Sequence, residues 1–265
     1  MKFIFDHDLH IHSQLSFCSD DPNQTTQDIL NYAKSNNLKT ICITDHYWDN
    51  TIPMEYDWYR KQDFEHISKS LPLPQDKNIK FLFGAECEFD KDCKLSIPKE
   101  KYDCFDFFVI PTTHLHMWYV TEMPENIDTP EKVAKVWVKR LDALLNMDLP
   151  FHKIGIAHLA CTLITPKHED YIKALSLIEQ SDLDRLFARC AKLGVGIEIN
   201  KDDITYEPED EEIVMRIFKT AKKQGCKFYL GSDSHHPENF VDAAAVFEKA
   251  INYLNLTEED KFILK

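Results

Sequence analysis

The chain has 265 residues, and 43% hydrophobic with 12% aromatic side chains supply a sizeable core, which excludes a disordered polypeptide. Lys and Arg number 31 against 45 Asp and Glu, and the net charge of −14 argues against a basic nucleic-acid groove or a cationic membrane-binding face. Glycine is scarce, six residues at 84, 155, 194, 196, 225 and 231, so no G-x-G-x-x-G, Walker loop or G-x-S-x-G elbow can form.

Short β-branched and aromatic runs alternate with longer helical patterns. The first run, residues 3–9, precedes a helical stretch at 25–36; the second, 40–44, and the third, 79–84, flank a helical segment at about 55–71. After the fourth run, 105–111, Thr129-Pro130-Glu131 marks the start of a helix reaching 147, with Thr as cap and Pro in the first turn. The fifth run, 154–157, leads into a helix pair over roughly 170–193, and the sixth, 195–199, into a helix at 210–224. Gly194 and Gly225 stop these helices as left-handed caps. The seventh run, 228–231, is followed by a last helix, 240–254, expected to end the fold. Seven strand-then-helix units predict one α/β domain over 1–265, a parallel sheet with helices outside, either doubly wound or closed into a barrel.

The eight cysteines contain no C-x-x-C pair, and several lie in apolar runs where Cys acts as a small hydrophobe. A reduced cytoplasmic protein is expected. The N-terminal MKFIFDHDLH reaches charged residues too early for a signal peptide, and no 18-residue apolar stretch follows, so neither export nor a membrane span is expected.

Function is written at the C-terminal ends of the runs, where His, Asp and Glu gather: Asp8-Leu9-His10-Ile11-His12, Thr44-Asp45-His46, Glu86-Cys87-Glu88, His114-Leu115-His116, Ala157-His158, Glu198-Ile199-Asn200 and Asp233-Ser234-His235-His236. A parallel barrel brings these ends to one mouth. Strand side chains alternate, so His10 with His12 and Asp233 with His235 are i, i+2 pairs on one face, roughly 6 to 7 Å apart at the backbone. Imidazole and carboxylate together suit Zn²⁺, Mn²⁺ or Fe²⁺ in a catalytic cluster. A lone strand-end His is more often a structural residue; six of the 12 His beside carboxylates are a different matter. His7, His66, His152, His168 and His236 lack that placement and read as structural or surface residues, while His116 shares a face with His114 but lies further out.

The ordered set D-L-H-x-H, T-D-H, G-x-E, strand-end His, I-x-H, E-I-N and G-S-D-S-H resembles the PHP (polymerase and histidinol phosphatase) domain family over essentially the whole chain, and within it the small stand-alone phosphoesterases. The resemblance implies a distorted (β/α)7 barrel with two or three divalent ions. One ion would be held by His10, His12, Glu86 and Asp233, a second by Glu86, His114 and His158 with Glu86 bridging, and a third by His46, His235 and a residue of the loop after His12. Histidinol-phosphatase-like members carry a C-P-H pattern in that loop. Here it reads Cys18-Ser19-Asp20-Asp21, closer to an S-D-G version, which makes Asp20 the candidate and Asp21 its competitor. An Asp ligand would favour a harder ion there, Mn²⁺ or Mg²⁺.

Paired ions lower the pKa of bound water towards ~7 and neutralise phosphoryl oxygens, so hydrolysis of a small phosphomonoester through a metal-activated hydroxide is the expected reaction. Glu86 would carry it by positioning both ions, and Asp233 or His235 would protonate the leaving group. Asp8 and Asp45 are expected to orient imidazoles, Glu198 and Asn200 to hydrogen-bond ligands or substrate, and Glu88 to be solvated or an outer support. Arg60, Lys91 and Lys94 are candidate phosphate clamps, and Tyr47, Trp48, Trp58 and Trp118 candidate pocket walls. The expected partner is a small phosphorylated substrate, nucleic acid entering only as a small nucleotide. Two alternatives are an amide or lactone hydrolase, which a strand-end Lys would favour and none offers, and a non-catalytic metal-binding scaffold, which loss of ligands would favour.

Overall fold

In the computed structural model, which describes residues 1–19, 21–165 and 168–264, strands and helices alternate. They are β1 (His7–Ile11), α1 (Thr26–Ser35), β2 (Thr40–Ile43), β3 (His46–Tyr47), α2 (Asp57–Arg60), α3 (Phe64–Ile67), β4 (Lys80–Cys87), β5 (Phe107–Ile110), α4 (Pro130–Leu145), β6 (Ile154–Ile156), α5 (His168–Leu177), α6 (Gln180–Leu193), β7 (Gly196–Asn200), α7 (Glu211–Lys223), β8 (Lys227–Gly231) and α8 (Ala243–Leu254). Pairing runs β1-β2-β4-β5-β6-β7-β8, parallel throughout, and β3 continues along β4. The chain after β8 returns to β1, Asp233 N donating to His10 O at 2.7 Å and His12 N to Ser234 O at 3.1 Å. Seven strands thus form a nearly closed barrel with helices around it, and the doubly wound option is set aside.

Three boundaries differ from expectation for identifiable reasons. Phe3 is apolar because it clasps the C-terminal segment, its N–H donating to Leu256 O, so the strand begins only at His7. The helical pattern at 55–71 breaks into two single turns, because Asp63 leaves the helix to cap α3 and accepts from His66 N. The last helix does not end the fold. Beyond α8, Phe262 N donates to Phe228 O, and the Phe262 ring closes the barrel floor with Leu9, Cys42, Leu82, Phe107, Val109, Ala157 and Tyr229.

A larger apolar layer fills the space between barrel and helices, with α4 contributing Val133, Trp137, Leu141 and Leu144. Thr129 caps α4 by accepting from Lys132 N, and Gly194 ends α6 at φ +74°. No described helix is long and apolar enough to cross a membrane.

Candidate metal centre

Alternation along β4 builds the site's axis. Leu82 faces the barrel floor, and Glu86 and Glu88, four and six residues further, reach the mouth on the same side. In β1 the register with β2 shifts between Asp8 and Ile11, which lets consecutive residues serve both ends: Leu9 joins the floor, and His10 turns to Glu198 and Glu86. On β8, Gly231 leaves room for a neighbour's carboxylate, since a Cβ there would collide with Glu198 Oε1 and His10 Cβ.

Glu86, 1% exposed, is the hub. Its Oε2 lies 3.7 Å from His10 Nε2, 3.3 Å from His12 Nε2 and 3.1 Å from His46 Nδ1, and its Oε1 lies 3.3 Å from His158 Nε2 and 3.8 Å from His114 Nε2. Asp233 Oδ1 stands 3.4 Å from His10 Nε2 and 3.1 Å from His12 Nε2. His10, His12 and Glu86 form one group with the spacing of a metal site, and Glu86, His114 and His158 form another.

Four of the imidazoles are held from behind. His10 Nδ1 donates to Glu198 Oε1 at 2.8 Å, and the Nδ1 atoms of His12 and His158 hydrogen-bond Ser16 Oγ and Thr113 Oγ1 at 2.9 and 3.0 Å. His114 Nδ1 donates to both Glu88 oxygens at 3.2 Å. Nε2 of these four rings is thereby aimed at Glu86, the arrangement of imidazoles that ligate a metal. The test of fit is what those atoms touch. Nε2 of His10 and His12 and Nδ1 of His46 are buried without a hydrogen bond, although carboxylate oxygens stand 3.1–3.7 Å away. A divalent cation among them satisfies both sets of lone pairs.

The electrostatics agree. Burial presses the His10 imidazole down, yet the carboxylates of Asp233, Glu198 and Glu86 raise it to about 10. Against burial, Cys18 with Asp233 and Glu86 raises His12, Glu86 with Cys18 raises His46, and Cys161 with Glu86 raises His158, while the surrounding imidazoles hold Glu86 and Asp233 well below the usual range despite burial. Such a cluster binds protons or metal ions in competition. His158 and Asp233 also adopt positive φ, +26° and +52°, rare for residues with a side chain and concentrated at functional sites. Asp233 and His235 therefore converge without the extended i, i+2 geometry expected of them: His235 Nδ1 donates to Asp233 O at 2.7 Å.

The cavity over the hub measures about 320 Å³; its inner wall is His12, His46, Glu86, His114, Asp233 and His235, and its outer wall includes Cys18, Trp58, Tyr59, His116, Met117 and Leu163. Of the nine candidate ligands, six line this cavity, and His10 and His158 stand behind it against Glu86. Asp20 lies outside the described residues. Asp21 faces elsewhere, with Oδ2 3.7 Å from His236 Nδ1 and Oδ1 accepting from Asn23 N.

Several expectations are corrected. Asp8 and Asp45 orient no imidazole; Asp8 accepts from Ser232 N and Tyr32 Oη, Asp45 from Ser13 N and Oγ, because backbone amides and hydroxyls at the strand ends reach them first. Of the two readings of Glu88, solvated or an outer support, the structure agrees with the second: it is fully buried between His46 and His114. Arg60 is exposed and pairs with Asp57, Lys91 pairs with Asp92, and neither Arg nor Lys stands among the described lining residues. Of the four aromatics, Trp58 lines the cavity, Tyr47 and Trp48 are buried, and Trp118 is half exposed outside it. One lysine does stand at a strand end, Lys201 after β7, but its ammonium turns to Asp202 and Asp242 at 3.5 and 3.4 Å. Cys18 was missed as a lining residue; burial opposes its ionisation, yet His12 and His46 press the thiol down to about 2.

The PHP domain family model matches residues 8–259. Among solved structures the chain is similar to histidinol phosphate phosphatase from Lactococcus lactis subsp. lactis Il1403, complexed with zinc, L-histidinol and phosphate, at 17% identity and a TM-score of 0.62 over 97% of this chain and 98% of that one. No curated protein sequence matches.

Proposed function

The chain belongs to the PHP domain family, and on that premise we propose that it is a metal-dependent phosphoesterase acting on a small phosphomonoester. The observation that carries this reading is the division of Glu86 between two groups of imidazoles, each with Nε2 turned inward and Nδ1 held from behind. In this reading His10, His12 and Asp233 hold one divalent ion, His114 and His158 a second, and Glu86 bridges them. His46 and His235 stand ready for a third, with Asp20 the loop residue expected beside them. Ions bound there supply Lewis acidity towards a phosphoryl group and activate water at neutral pH.

The chain's own residues do the rest. Glu198, Ser16, Thr113 and Glu88 fix the imidazoles so that nothing has to reorganise when charge develops. At the cavity wall where Asp233 and His235 meet, His235 would in this reading supply the proton to the leaving alkoxide, and Asp233, whose backbone carbonyl accepts from His235 Nδ1, would orient its ring. Trp58, Met117 and Leu163 offer an apolar wall to the alcohol portion, and a cavity of about 320 Å³ suits a small ester.

The test is a panel of phosphomonoesters, phosphodiesters and nucleoside phosphates presented to metal-loaded protein. Histidinol phosphate is the first member, because the similar solved structure carries L-histidinol and phosphate. Turnover that a chelator abolishes and Mn²⁺ or Zn²⁺ restores supports the proposal. Fully loaded protein that hydrolyses no phosphoester overturns it.

A further inference from the structure

Two side chains of α4, three residues apart and so on one face, reach from the helix layer to the loops of the mouth. Arg140 is buried, and its guanidinium donates to four backbone carbonyls: Nε to Thr112 at 2.7 Å, Nη1 to Asp90 at 3.0 Å and to Thr121 at 2.6 Å, and Nη2 to Phe89. A buried cation is costly unless its donors are met, and here separate stretches of loop meet them. Trp137, also buried, donates from Nε1 to Leu159 O at 2.9 Å.

Three of these carbonyls flank the groups assigned to the second ion. Phe89 follows Glu88, which accepts from His114 Nδ1. Thr112 precedes Thr113, whose Oγ1 hydrogen-bonds His158 Nδ1, and His114 comes next in the chain. Leu159 follows His158. The first group leans on other elements: His10 on Glu198 of β7, His12 on Ser16, and Asp233 N on His10 O. One helix thus serves one half of the partners of Glu86.

Building on the proposed two-ion centre, we propose that Arg140 and Trp137 are positioning residues for the second ion, fixing through backbone carbonyls where Glu88, His114 and His158 stand. A guanidinium suits this task because its planar fork carries five donors at fixed angles, whereas a lysine ammonium offers three at a single point. Displacing Glu88 or Thr113 frees Nδ1 of the imidazole it holds, and loss of such a support weakens metal binding by about 10- to 100-fold. The two ions are then held by separable parts of the fold, and α4 governs one of them.

Metal-stripped protein titrated with Zn²⁺ against a chromophoric chelator tests this without reference to activity, with total metal measured on the same samples. Wild-type protein should bind at least two ions tightly. Arg140→Lys, and Trp137→Phe, which removes the N–H and keeps an aromatic ring, should each weaken one equivalent by about 10- to 100-fold and leave the rest at wild-type affinity. Leu144→Ala, a buried truncation on the same helix, is the control: it should lower the denaturation midpoint and keep every equivalent. A folded Arg140→Lys or Trp137→Phe protein that keeps every equivalent at wild-type affinity, or loses all of them in parallel, overturns the positioning role of that residue and leaves the metal centre standing. If Arg140→Lys does not fold, Trp137→Phe decides alone. Wild-type protein that binds fewer than two ions overturns the two-ion reading itself.

Discussion

At the floor of the barrel Leu9, Leu82, Phe107, Tyr229 and Phe262 pack into an apolar cluster, while at the mouth His10 on β1, Glu86 on β4 and Glu198 on β7 are just as buried and all ionisable. The crossover takes four residues on β4, from Leu82 past Gly84 to Glu86. The floor gains free energy from burial of apolar surface. The mouth spends it, because charges out of water are costly unless paired. The difference teaches that the strands' inward rows divide labour by height, with stability below and chemistry above, as barrels generally do.

Substitutions at the two ends should therefore fail in different ways. The largest effect is expected from Glu86→Gln, which keeps the shape of the hub and removes its charge: kcat on the best phosphoester should fall by about 100-fold or more, with metal content reduced. Steady-state kinetics with elemental analysis checks it, and near-normal turnover contradicts the bridging role. At the floor, Phe262→Ala should cost about 3 to 4 kcal/mol in chemical denaturation and leave metal stoichiometry unchanged. If it also emptied the metal centre, the two ends would not be separable.

Between the ends sits Glu198, which accepts from His10 Nδ1 and from His158 N at 2.7 Å. Glu198→Gln should weaken metal affinity by about 10- to 100-fold in a competitive chelator titration while the protein stays folded. The smallest effect concerns Asp203, buried beside the His158 turn, where it accepts from Ala160 N. Burial pushes its carboxyl up to about 8, against 3.8 when unperturbed. The folded protein thus keeps a proton that the unfolded chain has released, and the stability this gives is complete below the unfolded value and lost as pH rises through about 8. Asp203→Asn should gain on wild type over that window, read from denaturation of chelated protein at about pH 5 and about pH 9. A difference independent of pH would contradict the buried protonated carboxyl.

Much of this was legible from sequence where a period repeats. Alternation on β4 carries Leu82, Glu86 and Glu88 to one side, and strand-end His and Asp at 10, 12, 46, 114, 158, 233 and 235 converge because parallel strands end together. The misreadings come from contacts with no period. Asp8 and Asp45 stand next to imidazoles in sequence but turn to backbone amides. Cys18 lies in a loop whose position depends on Gln62 and His235, far along the chain. Glu198 reads as a strand-face carboxylate, and its grip on His10 exists only because Gly231 yields the space.

The central claim is that the buried imidazoles and carboxylates around Glu86 are a metal centre of more than one ion. Elemental analysis of protein purified without chelators, repeated after stripping and reconstitution with Zn²⁺ or Mn²⁺, tests it most directly. The structure predicts more than one equivalent of transition metal, lost as pH falls because protons compete for the same imidazoles. Less than half an equivalent, with no uptake on reconstitution, would contradict it.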